Sequence, residues 1–237
     1  KMIFMEIGKT REELTRMLHK AVEVNGMEDG VHVRLMITRG NKKTPSQDPR
    51  LTVSPPNIVI IPEYKQANPE TGKTGVRLFT SAIRRGSPDY LDPRLNCHSK
   101  LHEVIALSQA LRAGADEALM LDIHGFVSTC NATNFFIVRH DEVWTSSGNY
   151  CMNGITRGKI VQLCRQNGIP VYEKDFSLVD VYSADEAFVT GTFGGLTPVS
   201  EVDGQKIGSR KVPGNLTQTL RQLYQASIRK YIQSVKQ

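Results

Sequence analysis

The chain has 237 residues, of which 39% are hydrophobic and 23% charged, and no apolar run approaches the ~20 residues that cross a bilayer, so we expect a globular protein with no membrane partner. The net charge of +6 does not predict nucleic-acid binding, because basic residues are scattered among acidic ones and only 7% of the residues are aromatic. Four cysteines without a CxxC pair, and histidines without ligand spacing, predict reduced thiols, a cytoplasmic location and no metal site.

The first part of the chain predicts a helix followed by two strands. Thr10 and Glu13 have the spacing of a capping box, and the apolar residues after them recur on one helix face until an Asn-Gly pair ends the helix. Alternation of apolar and polar residues predicts strands at Val31–Thr38 and Asn57–Pro62.

A segment without hydrophobic periodicity, residues 64–73, has the composition of a linker. We therefore predict a small α+β domain at residues 1–63 and a large α+β domain at residues 74–237. The predicted elements of the large domain are, in chain order, a strand at Val76–Ile83, a helix from about Ser99 to Ala113, a strand–turn–strand unit around Thr129, a helix from Thr156 to about Gln166, strands near Val171 and at Ala187–Thr190, and a helix from about Asn215.

The stretch Gly125–Val138 places a turn of small polar residues, Thr129 to Thr133, between two apolar arms. Its hydroxyls and amide, backed by aromatic side chains, suit a small, polar, charged ring better than they suit a core. An ordinary β-hairpin has the same pattern, so this stretch alone does not decide between a ligand site and a structural turn.

Two later glycine-containing stretches have features that bind phosphate. Asn153–Gly158 begins a predicted helix, where the Ile155 and Thr156 amides lack intrahelical partners and the helix end is positive. The turn within Thr190–Val199 adds the Thr192 hydroxyl beside further amides. The alternative is that Thr156 is only an N-cap and the glycines after Thr192 only a tight turn.

In this order the three stretches resemble those of the fold-type IV pyridoxal-phosphate enzymes, which include branched-chain and D-amino acid aminotransferases and aminodeoxychorismate lyase. The resemblance begins after the family's N-terminal strands and first helix, which implies a truncated N-terminal domain. It implies a two-domain α+β fold, a homodimer, and transfer of an amino group between an amino acid or amine and a 2-oxo acid. The residues that it implies for binding pyridoxal 5'-phosphate are Thr129, Asn131, Ile155, Thr156 and Thr192.

Two positions depart from the family. The column of its Schiff-base lysine holds Asn96, whose amide is not nucleophilic. The nearest amine is Lys100, and a helix that began near Cys97 would place Lys100 one turn, ~5.4 Å, further along the same face. We predict Lys100 as the catalytic residue, although a surface lysine fits the sequence equally well. Thr129 stands where relatives have a glutamate against the ring nitrogen, which offers a neutral hydrogen bond and weaker carbanion stabilisation.

The sequence contains little that specifies the substrate. Arg34 and Arg50 lie where relatives bring carboxylate-binding arginines, and a guanidinium binds a carboxylate through two hydrogen bonds. Two other classes of function stay open: a lyase or racemase on the same scaffold, and a non-catalytic protein that binds the cofactor without a covalent bond. The second follows from Asn96.

Overall fold

The structure is a computed structural model that describes residues 2–208 and 211–235. It divides into two compact units, Lys1–Ala67 and Asn68–Gln237, and the division between them falls inside the segment that has linker composition. Among the helices of the described ranges, none is both long enough and apolar enough to cross a bilayer.

The smaller unit contains helix α1 (Arg11–Val24), strands β1 (Val31–Thr38) and β2 (Asn57–Tyr64), and a 3-10 turn at Pro49–Leu51. The predicted capping box of α1 is confirmed by reciprocal hydrogen bonds of 2.8 and 3.2 Å between its two residues. The two strands pair in antiparallel fashion along their whole length. Strand β2 runs two residues beyond its predicted end, into the predicted linker.

In its described residues, the larger unit combines a mixed sheet with six helices. Its elements are α2 (Thr71–Thr74), β3 (Val76–Thr80), α3 (Pro88–Leu91), α4 (Leu101–Arg112), β4 (Glu117–Leu121), β5 (Val127–Cys130), β6 (Asn134–Arg139), β7 (Glu142–Thr145), α5 (Ile155–Gln166), β8 (Val171–Glu173), α6 (Leu178–Tyr182), β9 (Glu186–Gly191), β10 (Gly195–Val202), β11 (Gln205–Lys206) and α7 (Asn215–Val235).

The strands of this sheet follow the order β5-β4-β3-β10-β9-β6-β7-β8, with β11 beside β10. Parallel strands require a crossover connection, and the crossovers from β3 to β4 and from β7 to β8 contain α4 and α5. The two α+β units agree with the predicted fold class.

Strand β6 lies at the centre of the core, with side chains buried on both faces of the sheet. Phe135 and Ile137 belong to one apolar cluster, and Phe136 and Val138 to another on the opposite face, as the two-residue repeat of a strand requires. The rings of Phe136 and Phe188 stack with centroids 4.8 Å apart. If the register of β6 against its neighbouring strands shifted by one residue, each of these side chains would point to the opposite face of the sheet. The packing therefore fixes the register of β6 and the position of its first residue.

Two predictions about local structure need correction, and the hairpin alternative is excluded. The segment around Thr129 is strand–turn–strand but not a hairpin, because β5 pairs with β4 while β6 pairs with β9 and β7. The strand predicted at Val76–Ile83 ends at Thr80. Helix α4 begins at Leu101, with Lys100 as its N-cap, because the chain before it turns through short-range backbone bonds at Cys97 and Lys100.

Candidate active site

A cleft of about 460 Å³ opens in the larger unit between the chain that leads into α4 and the turn from β5 to β6, within the size range of small-molecule sites. Three of the predicted site residues, Lys100, Thr129 and Asn131, line it, and so does Asn96. The predicted phosphate-binding residues Ile155, Thr156 and Thr192 are not among its lining residues.

Asn134, the first residue of β6, connects the cleft with the start of α5. The side chain is buried, and its Nδ2 donates to the Met152 carbonyl at 2.9 Å and to Thr129 Oγ1 at 3.3 Å. Its Oδ1 lies so close to Gly154 that a Cβ on Gly154 would be 2.5 Å away. Sequence reasoning missed this residue, because an asparagine at the start of a strand does not reveal its distant partners.

The same residue also connects the cleft with the glycine-rich turn. Asn134 pairs with Thr190 across β6 and β9, and the turn that carries Thr192 follows directly after β9. Thr192 is exposed there. The structure therefore brings the three predicted stretches together around Asn134.

The N-terminus of α5 has no side-chain cap. Its N-cap is Gly154, so the alternative in which Thr156 caps this helix is wrong. Thr156 is buried, and the side chain of Ile155 is 89% exposed. The first amides of a helix have no intrahelical partner, so the Ile155 and Thr156 N–H groups are available to an anion.

Arg157 holds this helix end against the sheet. Its guanidinium is buried, donates to the Ser146 carbonyl at 2.7 Å and forms a 3.0 Å ion pair with Glu173. Because one buried side chain bonds to the end of β7 and to β8, the first turn of α5 is fixed relative to the sheet.

The turn from β5 to β6 is held by hydrogen bonds on both sides. Thr129 Oγ1 donates to the Thr133 carbonyl at 2.8 Å. Glu117 accepts from the Thr133 hydroxyl at 2.8 Å and from the Ala132 N–H at 3.2 Å. Burial raises the pKa of Glu117 above its ordinary value, although these hydrogen bonds act in the opposite direction.

Asn131, a predicted cofactor-binding residue, ties the turn to β4. Its Oδ1 accepts from the Ala118 N–H at 2.7 Å, and its own N–H donates to the Ala118 carbonyl at 3.0 Å. The carboxamide oxygen is therefore used within the protein, and a ligand contact of this side chain would fall to its Nδ2.

Lys100 lies in the cleft, but not as the sequence argument placed it. Because α4 begins only after Lys100, residues 97–100 do not form a helical turn, and that premise was wrong. The Lys100 side chain is exposed. What the structure shows instead is that Lys100 and Asn96 line the same cleft.

A partly buried ion pair adjoins Lys100. Arg85 and Glu103 meet at 2.6 Å, with side chains 12% and 16% exposed. Burial opposes ionisation of Glu103, but the hydrogen bond from Arg85 and the charges of Arg85 and Lys100 outweigh it and lower the pKa of Glu103. Neither member of this pair was predicted.

The two predicted substrate-binding arginines belong to the smaller unit. Arg34 is exposed on β1. Arg50 donates to both carboxylate oxygens of Asp48 at 2.6–3.0 Å, and its side chain is 87% exposed. Within residues 2–208 and 211–235, no three His, Cys, Asp or Glu side chains are grouped so as to hold a metal ion.

Comparisons with known proteins agree with these motifs. The family described as amino-transferase class IV matches residues 1–202. Branched-chain-amino-acid aminotransferase-like protein 2 of Arabidopsis thaliana is 37% identical over 91% of this chain. A putative branched-chain-amino-acid aminotransferase of Methanocaldococcus jannaschii is 35% identical over 94% of this chain, which covers 76% of that relative. The chain spans 38% of the length of the Arabidopsis relative.

Solved structures show the same fold. The T.th. branched-chain amino acid aminotransferase with pyridoxamine 5'-phosphate has a TM-score of 0.87 and 28% sequence identity, over 94% of this chain and 73% of that one. The same enzyme complexed with N-(5'-phosphopyridoxyl)-L-glutamate has a TM-score of 0.86 and 27% identity, at 94% and 72% coverage. The chain belongs to the class IV aminotransferase family.

Proposed function

We propose that this protein is a pyridoxal 5'-phosphate-dependent aminotransferase that moves an amino group between an amino acid or amine and a 2-oxo acid. The observation that carries the proposal is the position of Asn134, which joins the cleft to the uncapped start of α5. Family membership supports it, since the relatives include branched-chain and D-alanine aminotransferases. A structural neighbour contains pyridoxamine 5'-phosphate.

The residues present fit this cofactor. A phosphate needs amides and hydroxyls that the protein does not use itself, and the uncapped N-terminus of α5 supplies the amides. The close approach of Asn134 Oδ1 to Gly154 leaves no room for a Cβ. Beside Asn134 in the sheet, the buried Thr190 Oγ1 has no hydrogen-bond partner among the described residues, which points to a polar ligand.

The Ile155 and Thr156 amides, with the hydroxyls of Thr156 and Thr192, would hold the phosphate. Thr129 and Asn131 would contact the ring. When bound, pyridoxal phosphate supplies an electron sink for the electron pair released at the substrate carbon.

Lys100 would attach the cofactor and carry a proton at the substrate carbon. Its support is its place in the wall of the cleft, where Asn96 occupies the family's lysine column. The Arg85–Glu103 pair adjoins it and would hold the start of α4 in place.

Arg34 and Arg50 remain the proposed ligands for a substrate carboxylate. Of the two, Arg34 fits better, because the guanidinium of Arg50 is already paired with Asp48. Comparing the KM of the Arg34→Ala and Arg50→Ala variants for the acid substrate decides between them.

We also propose a cytoplasmic homodimer. Apolar side chains of β1 and β2 are exposed, namely Leu35, Val59 and Ile61, which favours a partner surface. All four cysteines are unpaired, which favours a reducing compartment. Sedimentation that shows a monomer at micromolar concentration would contradict the dimer.

Borohydride reduction of the protein loaded with cofactor, followed by peptide mass mapping, tests the function and the lysine together. We expect the pyridoxyl mass on the peptide that contains Lys100, and its loss in Lys100→Ala. The control is Lys206→Ala, an exposed lysine on β11 outside the cleft lining, which should keep the label.

Other outcomes are equally informative. Label on a different lysine moves the catalytic assignment, and reversible binding without label indicates a non-covalent binder. No binding at all refutes the proposed function. If Asn96→Lys alone gains the label together with transaminase activity, the natural chain is a degenerate member of its family.

A further inference from the structure

The orientation of the Asn134 carboxamide is fixed by its surroundings. The Met152 carbonyl can only accept a hydrogen bond, so the group 2.9 Å from it must be the NH₂ end of Asn134. The same nitrogen lies 3.3 Å from Thr129 Oγ1 and 3.8 Å from Cys151 Sγ. Sulfur is the weaker acceptor, so the second N–H of Asn134 goes to Thr129. An amide nitrogen cannot accept a hydrogen bond, so Thr129 accepts from Asn134 and does not donate to it.

The proton of the Thr129 hydroxyl therefore goes elsewhere, and the Thr133 carbonyl lies 2.8 Å away to receive it. That carbonyl also accepts from the Cys130 N–H at 2.8 Å, and Glu117 holds the side chain of the same threonine at 2.8 Å. The turn itself therefore holds the Thr133 carbonyl in the position where it accepts the Thr129 proton. Glu117 acts on Thr133, and not directly on Thr129.

A threonine hydroxyl has one proton and two lone pairs. In Thr129 the proton and one lone pair are used inside the protein, and the second lone pair remains. The residue lines the cleft, so toward a ligand its hydroxyl is an acceptor only. We infer that the cofactor ring nitrogen is held against Thr129 as an N–H donor, in its protonated form, by a residue without charge.

This inference rests on the proposed function and specifies that, in the hydrogen bond between Thr129 and the ring nitrogen, the ring nitrogen is the donor. Replacement of a carboxylate by a hydroxyl removes a negative charge, which on its own weakens the preference for a protonated ring. The direction of the Thr129 hydrogen bonds restores part of that preference, because an unprotonated nitrogen would place its lone pair against another lone pair. Asn134 acts here as a positioning residue.

The test uses pyridoxamine 5'-phosphate labelled with ¹⁵N in the ring, which binds without forming a covalent bond to a lysine. The ¹⁵N shift of the bound ligand, followed against pH, reports the protonation of the ring directly. The acidic and basic side chains that line the cleft together with Thr129 are Arg84, Arg85, Asp92, Lys100, His102 and Glu103, and they are unchanged in the Thr129 variants. We expect the bound ring of the wild type to stay protonated at a pH where the free ligand has lost its proton. In Thr129→Val the ring should lose its proton at lower pH than in the wild type, and Thr129→Ser should restore the wild-type behaviour.

Affinity gives a second readout. A hydrogen bond to a charged partner is typically worth about a ten- to hundred-fold change in affinity, so the wild type should bind pyridoxamine 5'-phosphate tighter than its 1-deaza analogue by about that factor. Thr129→Val should reduce the preference to about threefold or less. Thr133→Val is the matched control, since it removes a hydroxyl from the same turn but keeps the carbonyl that Thr129 needs.

Each outcome decides the matter. A bound ring that is unprotonated at the pH where the free ligand is unprotonated overturns the inference and leaves the proposed function standing. If Thr133→Val and Thr129→Val lose the preference for pyridoxamine 5'-phosphate over its 1-deaza analogue equally, the effect belongs to the turn as a whole, and the inference is also overturned. Failure of the wild type to bind either ligand overturns the proposed function and the inference with it.

Discussion

Replacing Gly154 by alanine tests whether the start of α5 holds the phosphate. The backbone there has φ −61° and ψ 147°, which any residue adopts. The new Cβ would lie 2.5 Å from Asn134 Oδ1, and ordinary contact begins at 3.4 Å, so one of the two groups must move by 0.9 Å (3.4 minus 2.5). Overpacking destabilises the folded state by about 1–3 kcal/mol, and the lower entropy of an unfolded chain with alanine offsets about 0.4–1 kcal/mol of this. The free energy of unfolding should therefore fall by about 0–2.5 kcal/mol.

The effect on binding should exceed the effect on stability. A shift of that size disturbs the amides that would face the phosphate, and a charge-assisted hydrogen bond is worth about 1.5–3 kcal/mol. We expect the affinity of the Gly154→Ala variant for pyridoxamine 5'-phosphate to fall about ten- to hundred-fold. Calorimetric titration of the apo protein measures it, and urea unfolding of the same preparation measures the stability.

The control is Gly158→Ala, one turn further along α5. A Cβ there has nothing within 4 Å, and alanine is more favourable than glycine inside a helix by about 0.8–1 kcal/mol. This variant should be more stable and bind the ligand as the wild type does. If Gly154→Ala is destabilised but retains full affinity, the phosphate is held elsewhere and the site has been placed wrongly.

Other substitutions separate the remaining contributions. Thr192→Ala should weaken cofactor binding several-fold to about a hundred-fold by removing a hydrogen bond to phosphate, measured by the same titration. Glu103→Gln should lower the free energy of unfolding, measured in urea, by roughly 1–3 kcal/mol, because it leaves the charge of the partly buried Arg85 without its carboxylate. Glu117 has a raised folded-state pKa, so the folded protein binds its proton more tightly and stability falls as pH rises from the unfolded pKa through the folded one. Glu117→Gln should remove this loss, so the urea midpoint of the variant should rise relative to that of the wild type as the pH goes from 4 to 7.

The parts that sequence predicted well are those decided by near neighbours. The capping box of α1 and the start of α5 depend on chemistry within four residues, and both were located to within one residue. The order of the ring and phosphate motifs sufficed to identify the family. The site contacts of Ile155, Thr156 and Thr192 stay predictions until a ligand is bound.

The strand pairing and the site contacts that the sequence left open depend on distant partners, whereas the start of α4 was misplaced for a local reason. The segment around Thr129 has the local pattern of a hairpin, but β6 pairs with β9, which lies about fifty residues further along the chain. The importance of Asn134 follows from that pairing and from Met152 and Gly154, none of which its own neighbours reveal. The start of α4 was misplaced because short-range turns at Cys97 and Lys100 compete with helical bonds.

The central place of Asn134 implies that the phosphate and ring sites are coupled. Its Nδ2 lies 3.3 Å from Thr129 Oγ1, which is near the long end for such a hydrogen bond. If the Asn134 carboxamide moved by about 0.9 Å to make room for the new Cβ, this hydrogen bond would break. Thr129 would then keep only its hydrogen bond to the Thr133 carbonyl, and its free lone pair would be held less firmly toward the cleft. Gly154→Ala should therefore also lower the pH at which bound pyridoxamine 5'-phosphate loses its ring proton, as the ¹⁵N shift would show, while Gly158→Ala should not. An unchanged titration in Gly154→Ala would mean that the helix start moves instead of Asn134, and that the two sites are independent.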